Sequence, residues 1–308
     1  MASSHLFKLG STGPHEKAEG GMRFKANREN FPILQGMSLY KLVLFPGGIR
    51  EPHWHANAAE LGYCLKGKVL VSLYNTNDVK ATFLVQQGDA FLVPSGALHA
   101  IENAGDANAE LVLNFSHESP EDFNLSCTLS AFSNAVLGNT WGVNADVFKA
   151  LKRTTTCSFA TLRTTPLTIS EEAKYMTPYR YSLAKATPLI ANEGGAARMA
   201  RQNTWPIACH QALYSLELTG KGMREPHWHP ETAELGYVEK GKGRMTILSP
   251  SGNQDTYIME EGDLYFIPKA YPHHIENLEG ETLHLQIFFD QGMPRRHRIY
   301  SQCALLSG

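Results

Sequence analysis

The sequence predicts an all-β protein built from two similar barrels in tandem, with a short helical segment between them. Two observations carry this prediction. Residues 50–103 align without a gap to residues 224–277, at a constant offset of 174 residues. Within each repeat, short runs of Val, Leu, Ile, Tyr and Phe alternate with Gly, Pro, Asn and Asp, which is typical of the short strands and tight turns of a sandwich or barrel.

The repeat extends beyond this central block, which indicates that a whole domain was duplicated. Glu19-Gly-Gly recurs as Glu193-Gly-Gly at the same offset. A chain of 308 residues is long enough for two domains that each bury a core. We therefore expect a first domain with a closing helical segment at 1–152, a linker at 153–173 and a second domain at 174–308.

The strands of the first repeat are predicted from its apolar and β-branched runs, which lie at 38–45, 60–65, 69–74, 91–93 and 110–115. The segment 122–153 differs, because its apolar residues recur near helical spacing. The second repeat ends 35 residues after His273, which leaves little room for an equivalent closing helix.

Composition narrows the class of partner and the compartment. A formal net charge of -2 gives no reason to expect nucleic acid as a partner. The sequence contains neither a run near the ~20 apolar residues of a membrane span nor the apolar core of a signal peptide, so we expect no membrane partner and a cytoplasmic location. The five cysteines are scattered and are expected to be free thiols. The basic run at 295–298 is expected to be a solvated face.

The residues that are identical in both copies include the types that bind metal ions. In the first copy, Arg50-Glu-Pro-His53-Trp-His55 is followed by Glu60 and by His99. Side chains alternate along a strand, so the two histidines of His-x-His point to the same face. A single His-x-His is more often a pair of surface or packed histidines. The repetition of the whole constellation at one offset makes the metal interpretation specific.

The second copy supplies an equivalent set, at His227, His229, Glu234 and His273. His274 adds a histidine beside His273, and strand alternation predicts that only one of these two faces the ion. Three imidazoles and one carboxylate form a mixed nitrogen and oxygen set without thiolate, which leaves positions open for water or substrate. Such a set favours Mn(II) or Fe(II) over a closed structural zinc site.

The spacing of these residues resembles the two motifs of the cupin superfamily. The first motif, Gly-(x)5-His-x-His-(x)4-Glu-(x)6-Gly, runs from Gly47 to Gly67, and the second, Gly-(x)5-Pro-x-Gly-x-x-His-(x)3-Asn, runs from Gly88 to Asn103. With both copies intact the chain resembles a bicupin. The form Arg-Glu-x-His-Trp-His in both copies is similar to the oxalate decarboxylase family in particular.

The resemblance implies two double-stranded β-helix (jelly-roll) barrels, each around Mn(II), although Fe, Ni, Co or Zn could occupy the same ligands. It also implies oxalate as substrate, dioxygen as co-substrate and a homo-oligomer associated through barrel edges. Arg50 and Arg224 would lie beside the metal and polarise a carboxylate of the substrate. The alternative for Arg50 is a structural ion pair with Glu51 or Glu60.

The sequence departs from the family at the lid. Oxalate decarboxylases carry a Ser-Glu-Asn-Ser lid whose glutamate transfers the proton that makes formate. Counting back from Trp141-Gly-Val places Ser119 in the glutamate position, between Glu118 and Glu121. Either glutamate could act as the acid if the loop folds over the metal. Both could equally be ordinary charges of a surface loop.

We therefore predict a Mn-dependent bicupin that decarboxylates oxalate to formate and carbon dioxide. The first alternative is an oxalate oxidase or another cupin dioxygenase that acts on a small carboxylic acid with the same ligands. The second is a metal-containing bicupin that binds a small acid or a sugar without turnover. The two arginines favour an acid over a neutral ligand, and only an assay separates turnover from binding.

Overall fold

The computed structural model describes residues 3–76, 79–154, 156–278 and 280–298, and it confirms the all-β architecture with few helices. The strands of the first half are β1 (Leu6–Phe7), β2 (Glu16–Ala18), β3 (Gly21–Ala26), β4 (Ser38–Leu44), β5 (Gly48–His55), β6 (Glu60–Lys66), β7 (Lys68–Asn75), β8 (Val79–Gln86), β9 (Ala90–Val93), β10 (Leu98–Asn103), β11 (Ala109–Phe115), β12 (Asp122–Asn124) and β13 (Ala160–Leu162). Each of the five strands predicted for the first repeat is present, with ends that differ by one residue at most.

The second half repeats this order. Its strands are β14 (Arg180–Tyr181), β15 (Ile190–Asn192), β16 (Gly195–Ala200), β17 (Ala212–Leu218), β18 (Met223–Trp228), β19 (Glu234–Lys240), β20 (Lys242–Leu248), β21 (Gln254–Glu260), β22 (Leu264–Ile267), β23 (His273–Asn277), β24 (Leu283–Phe289) and β25 (His297–Arg298). The helices are α1 (Leu125–Ser130) and α2 (Asn134–Trp141), with 3-10 turns at Leu9–Ser11, Ala145–Ala150, Glu171–Lys174 and Leu183–Lys185.

Each barrel consists of two facing sheets whose strands pair antiparallel. In the first barrel the sheets have the orders β14-β9-β6-β11-β4-β3-β2 and β12-β5-β10-β7-β8, with β13 on the other part of the β5 edge. In the second barrel the orders are β1-β22-β19-β24-β17-β16-β15 and β21-β20-β23-β18-β25. Apolar side chains fill the space between the two sheets of each barrel and form one core per barrel.

A third apolar cluster joins the two barrels, and the chain crosses between them at both ends of this interface. Leu39 and Leu61 from the first barrel pack in this cluster with Leu213 and Phe288 from the second. Strand β1 pairs with β22 of the second barrel, whereas β14 pairs with β9 of the first. The boundaries at 152 and 174 stay a prediction, but strands from either side of them complete the opposite barrel.

The predicted helical segment 122–153 begins with a strand. Residues 122–124 form β12 and pair with β5, because the Asp122 side chain is held by groups on β3 and β5. Helix α2 then begins after Ser133, whose side chain accepts a hydrogen bond from the Val136 amide, and ends at Gly142 with φ 65°. Both ends are typical helix caps. None of the described helices is long and apolar enough to cross a membrane.

The predicted free thiols need correction, and the linker predicted at 153–173 includes a strand. Within 153–173, strand β13 pairs with β5, so this segment is part of the first barrel's sheet. Cys127 in α1 and Cys157, just before β13, form a disulfide with a Cα–Cα distance of 5.8 Å. The pairing was not predictable because the two cysteines are 30 residues apart in sequence. Cys64 and Cys209 are free, and Cys303 lies outside the described residues.

A substitution of Gly62 tests how tightly the sheet beside the first histidine cluster is packed. A Cβ atom at Gly62 would lie 2.2 Å from the Phe91 ring, which is fully buried. We expect Gly62→Ala to lower the free energy of unfolding by about 1–3 kcal/mol, as overpacked cores do. Urea unfolding followed by circular dichroism measures the change. Gly13→Ala is the matched control, since nothing lies within 4 Å of its Cβ position. Equal stability of the two variants would contradict the packing argument.

Candidate metal centres and their lid strands

The first candidate metal centre forms where β5, β6 and β10 meet inside the first barrel. His53 and His55 project from β5, Glu60 begins β6, and His99 lies directly opposite His53 on β10. All four side chains are buried, and their ligand atoms lie within 4.8 Å of one another. Trp54 points to the other face, where it stacks on Phe123 at 5.2 Å. The strand alternation expected from His-x-His is therefore confirmed.

The second candidate centre is built in the same way from β18, β19 and β23. Its members His227, His229, Glu234 and His273 are buried, and their ligand atoms also lie within 4.8 Å of one another. His274 is only half-buried and has its Nε2 3.7 Å from the carboxylate of Glu276. One histidine of the pair at 273 and 274 faces the cluster, as alternation predicts.

Hydrogen bonds donated by Nδ1 fix the orientation of every imidazole in the two clusters. His53 Nδ1 lies 2.8 Å from the Glu51 carbonyl, and His99 Nδ1 lies 2.9 Å from the Ala97 carbonyl. His227 and His273 bond equivalent carbonyls at 2.8 and 2.9 Å. With Nδ1 engaged as a donor, the Nε2 lone pair is left to face the centre of the cluster. This is the arrangement in which a histidine binds a metal ion.

Several ligand atoms of both clusters are buried without a hydrogen-bond partner. Among the described residues they include Glu60 Oε1 and the Nε2 atoms of His99, His229 and His273. Such orphaned groups are costly unless something else satisfies them. Atoms of this chemistry, turned toward one point, fit a cation that binds nitrogen and oxygen.

His53 and Glu60 have the protonation states that suit a metal ion. Burial would lower the pKa of His55, but its hydrogen bonds with Asp122 and Glu60 raise it. Burial, together with the charges of Arg50 and His99, lowers the pKa of His53 well below its ordinary value and keeps this imidazole neutral. Burial would raise the pKa of Glu60, but the neighbouring imidazoles of His55 and His99 lower it to about 2. Neutral imidazoles and an ionised carboxylate are the forms that bind divalent metals.

The glutamate of the second cluster accepts a hydrogen bond that the glutamate of the first cluster lacks. The Tyr265 hydroxyl donates a 2.8 Å hydrogen bond to Glu234 Oε1. The ring of Tyr265 packs directly against Gly236. A Cβ atom added at Gly236 would lie 2.1 Å from this ring. Phe91 has the equivalent place in the first barrel and offers no hydroxyl, which is why Glu60 Oε1 lacks a partner. The two centres are thus similar in ligands and distinct in the groups around them.

Arg50 lies beside the first cluster and is fully engaged by the polypeptide. Its side chain is 3% exposed. Nη1 donates to Asn124 Oδ1 at 2.8 Å and to the Phe159 carbonyl at 3.2 Å, and Nη2 donates to Asp122 Oδ2 at 2.8 Å. Arg50 thus makes a structural ion pair, as the alternative interpretation held, but with Asp122 and not with Glu51 or Glu60.

Asp122 is the residue of the site that the sequence analysis missed. Besides Arg50, it accepts a 2.8 Å hydrogen bond from Arg23 Nη1, and its Oδ1 lies 2.8 Å from His55 Nδ1. Burial would raise its pKa, but His55 and the two arginines hold the pKa of this carboxyl far below its usual range. A usable signal was present in the sequence. The alternation Asp-Phe-Asn at 122–124 has the period of a strand, although it was included in the helical segment.

The structure places the two predicted lid glutamates away from the first cluster. Glu118 accepts hydrogen bonds from Arg28 Nη1 at 3.0 Å and from the Gly36 amide at 2.8 Å. Glu121 is exposed, and its backbone amide bonds Asn57. Neither carboxylate has a hydrogen bond to the four cluster residues within the described parts of the chain. Their role in proton transfer stays a prediction, and it requires the lid to change conformation.

The second barrel has an equivalent lid strand, formed by the basic run near the C-terminus. Strand β25 pairs with β18 as β12 pairs with β5, and His297 stacks on Trp228 at 5.6 Å as Phe123 stacks on Trp54. The 174-residue offset thus continues to the lid, where Asp122, Phe123 and Asn124 correspond to Arg296, His297 and Arg298. The basic run is largely exposed, as expected, and Arg296 and Arg298 also line a cavity.

The two lids leave different access to the two clusters. A cavity of about 460 Å³ outside the first cluster is bordered by Asp122 and Asn124 but by none of the four candidate ligands. Its walls carry Arg23 and Lys25, which pair with the carboxylates of Glu16 and Asp122 in the same walls. A cavity of about 380 Å³ in the second barrel reaches the cluster itself and is lined by His227, His229 and Glu234. Among the described residues, the cavity of the second barrel reaches its cluster, whereas the cavity beside the first cluster does not.

The comparisons with known proteins agree with this geometry. The family model described as Cupin matches residues 7–148 and 181–305. Oxalate decarboxylase OxdC of Bacillus subtilis (strain 168) is 29% identical over 294 residues, which cover 92% of this chain and 75% of that protein. A probable oxalate decarboxylase of Arthroderma benhamiae is 25% identical over 272 residues, with 84% of this chain and 66% of that protein covered.

The same relationship is found among solved structures. A structure of Bacillus subtilis oxalate decarboxylase, from work on its Mn(II) centres, superimposes with a TM-score of 0.88 at 25% identity and covers 100% of this chain and 85% of that chain. The two-barrel arrangement is therefore shared with a protein of known structure. The chain belongs to the cupin family, as a bicupin related to the oxalate decarboxylases.

Proposed function

We propose that this protein is a Mn(II)-dependent enzyme that decarboxylates oxalate to formate and carbon dioxide. The observation that carries the proposal is the buried cluster of three histidines and one glutamate with Arg50 beside it, in a chain related to an oxalate decarboxylase over 92% of its length. We favour this reaction over a non-catalytic sugar-binding role because the buried guanidinium of Arg50 suits an anionic substrate.

The residues that would hold the metal are the two clusters. His53, His55, Glu60 and His99 would hold one ion, and the equivalent set of the second barrel would hold the other. Four protein ligands leave open positions on an ion that prefers six, which suits Mn(II). Mn(II) bound there would supply Lewis-acid and one-electron redox chemistry to the reaction.

Arg50 is proposed to bind a carboxylate of oxalate. Its planar guanidinium can donate two parallel hydrogen bonds to a carboxylate, and Asp122 now occupies one of these positions. The substrate therefore replaces Asp122 as the partner of Arg50, which requires β12 to leave β5. This strand is only three residues long, so little pairing is lost when it moves. The cavity bordered by Asp122 and Asn124 would lead the anion to this point.

The proton balance requires an acid near Arg50. The C–C bond of hydrogen oxalate breaks, one carbon leaves as carbon dioxide, and the other receives a proton and becomes formate. No electrons are transferred overall, so dioxygen would be needed only transiently. We propose that Glu121 delivers the proton, because it directly precedes Asp122 and would move with β12 when Arg50 is freed. Glu118 is held by Arg28 and Gly36 and is the second candidate.

The proposal also covers the oligomeric state and the cellular compartment of the protein. Homo-oligomers through barrel edges are proposed from the family resemblance. A cytoplasmic location stays a prediction of composition, and the disulfide between Cys127 and Cys157 argues against it, since disulfides persist mainly in oxidising compartments.

Metal content tests the two centres. We expect about two ions per chain in protein expressed with manganese, and we expect His53→Ala and His227→Ala each to remove about one, because each substitution leaves an incomplete ligand set. Elemental analysis of the purified protein measures this. His274→Ala is the matched control, because His274 faces Glu276 and should leave the content unchanged. Unaltered metal content in both ligand variants would exclude the two-site proposal.

Product analysis tests the reaction. Mn-loaded protein with oxalate in air should yield formate and carbon dioxide in about equal amounts, because only one carbon of oxalate is protonated, and little peroxide. An oxidase would instead yield two carbon dioxide molecules and one hydrogen peroxide per oxalate. Nuclear magnetic resonance of [13C]oxalate and a peroxide assay distinguish the products. Oxalate that is bound but not consumed would support the non-catalytic alternative.

The lid acid can be tested by two isosteric substitutions. Glu121→Gln keeps the size of the side chain and removes the titrating group, so formate production should fall by ~100-fold. Glu118→Gln is the matched comparison and should have a smaller effect, since Glu118 bonds Arg28. Steady-state formate assays at equal metal content measure both. The reverse order of effects would assign the proton to Glu118, and wild-type rates in both variants would place the donor elsewhere.

A further inference from the structure

The lid strand of the second barrel reverses the charge found in the first. The position of Asp122 is taken by Arg296, and that of Asn124 by Arg298. In the first barrel the lid thus supplies the carboxylate that neutralises Arg50. In the second barrel the lid adds two guanidinium groups next to Arg224, the counterpart of Arg50. The polypeptide that closes the second centre therefore does not provide an anion at the equivalent place.

One carboxylate is shared by all three of these arginines. Glu225 Oε1 lies 2.9 Å from Arg224 Nη1, 2.9 Å from Arg298 Nε and 3.8 Å from Arg296 Nη1. Burial, and then the charges of Arg224 and Arg298, lower the pKa of Arg296. These three guanidinium groups lie around one carboxylate among the described residues, and an anionic ligand would offset their mutual repulsion.

A fourth arginine and an apolar wall complete the cavity. Arg201 lines it, and Arg201 Nε is buried without a hydrogen-bond partner. The opposite wall consists of aliphatic side chains, namely Leu189, Ile190, Met199, Leu216, Leu218 and Ile287. The volume of about 380 Å³ lies within the range of small-molecule sites, roughly 300–1,000 Å³. Oxalate has no hydrocarbon part to place against such a wall.

We propose that the cavity of the second barrel binds an organic carboxylate larger than oxalate, with its carboxylate among Arg224, Arg296 and Arg298 and its hydrocarbon body against the aliphatic wall. The site is distinct from the first centre, and its ligand is defined by arginine pairing at one end and apolar burial at the other. This inference does not depend on the oxalate reaction, which we place at Arg50 in the first barrel.

The ligand class is tested by calorimetric titration of the full-length metal-loaded protein with three probes. Phenylacetate carries both the carboxylate and an apolar body, acetate lacks the body, and phenylacetamide lacks the charge. We expect phenylacetate to bind with about one equivalent per chain and at least ~10-fold more tightly than either of the others, since one charged hydrogen bond contributes about 1.5–3 kcal/mol. Equal affinity of acetate and phenylacetate would exclude the aliphatic wall as part of the site.

Substitutions in the lid strand locate the bound carboxylate. Arg296→Gln and Arg298→Gln should each weaken phenylacetate binding at least ~10-fold, because each removes a charged donor from the cavity. Arg295→Gln is the matched control, since Arg295 is exposed, does not line the cavity and carries the same charge. Its affinity should stay within about twofold of wild type, as expected for a screened surface charge. Circular dichroism and metal content establish that each variant is folded and loaded.

Three results would overturn the proposal. One is the absence of phenylacetate binding to wild-type protein. Another is an equal loss of affinity in the Arg295 and Arg296 variants, which would indicate long-range attraction to a basic surface. The third is unchanged binding in both lid variants together with complete loss after chelation, which would assign the carboxylate to the metal alone. Formate production, measured in parallel, reports separately on the first centre.

Discussion

The structure depends on the need to satisfy four polar side chains inside each barrel. Three imidazoles and one carboxylate converge where the apolar core would otherwise continue, and an unsatisfied buried polar group is costly. The antiparallel pairing of β5 with β10 places His53 opposite His99, and β6 brings Glu60 to the same point. Backbone carbonyls orient the imidazoles through Nδ1. Each barrel thereby holds four oriented ligand groups, and a bound cation would satisfy those of their atoms that lack hydrogen-bond partners.

The lid strands determine what each centre can accept. In the first barrel, β12 completes the charge balance internally, because Asp122 joins Arg23, Arg50 and His55. In the second barrel, β25 uses the same pairing and the same aromatic stack but contributes arginines. The two barrels thus share one framework but differ at their lids. In the first barrel a lid carboxylate balances the charge of Arg50, whereas in the second the lid arginines line a cavity that reaches the cluster. Duplication allows this, since changes at a three-residue edge strand leave the ligand-bearing strands undisturbed.

The two barrels are also tied to each other. Strand β1 extends a sheet of the second barrel and β14 extends a sheet of the first, while a shared apolar cluster lies between them. In the first barrel the disulfide joins α1 to the segment before β13, and β12 and β13 both pair with β5. Any movement of β12 that frees Arg50 is therefore restricted, because the paired strand β13 and the disulfide-linked helix α1 hold the neighbouring parts of the chain.

The duplication, the all-β class and the eight candidate ligands can be predicted from the sequence, because each depends on spacing that is visible along the chain. His-x-His lies on one strand, and alternation alone orients it. The partners of Arg50, the position of the lid glutamates and the role of the basic run were decided only by the tertiary structure. Asp122 reaches Arg50 across 72 residues, and Arg298 reaches Glu225 only because β25 pairs with β18. Such contacts depend on which strands meet at a sheet edge, and local sequence patterns carry no information about that choice.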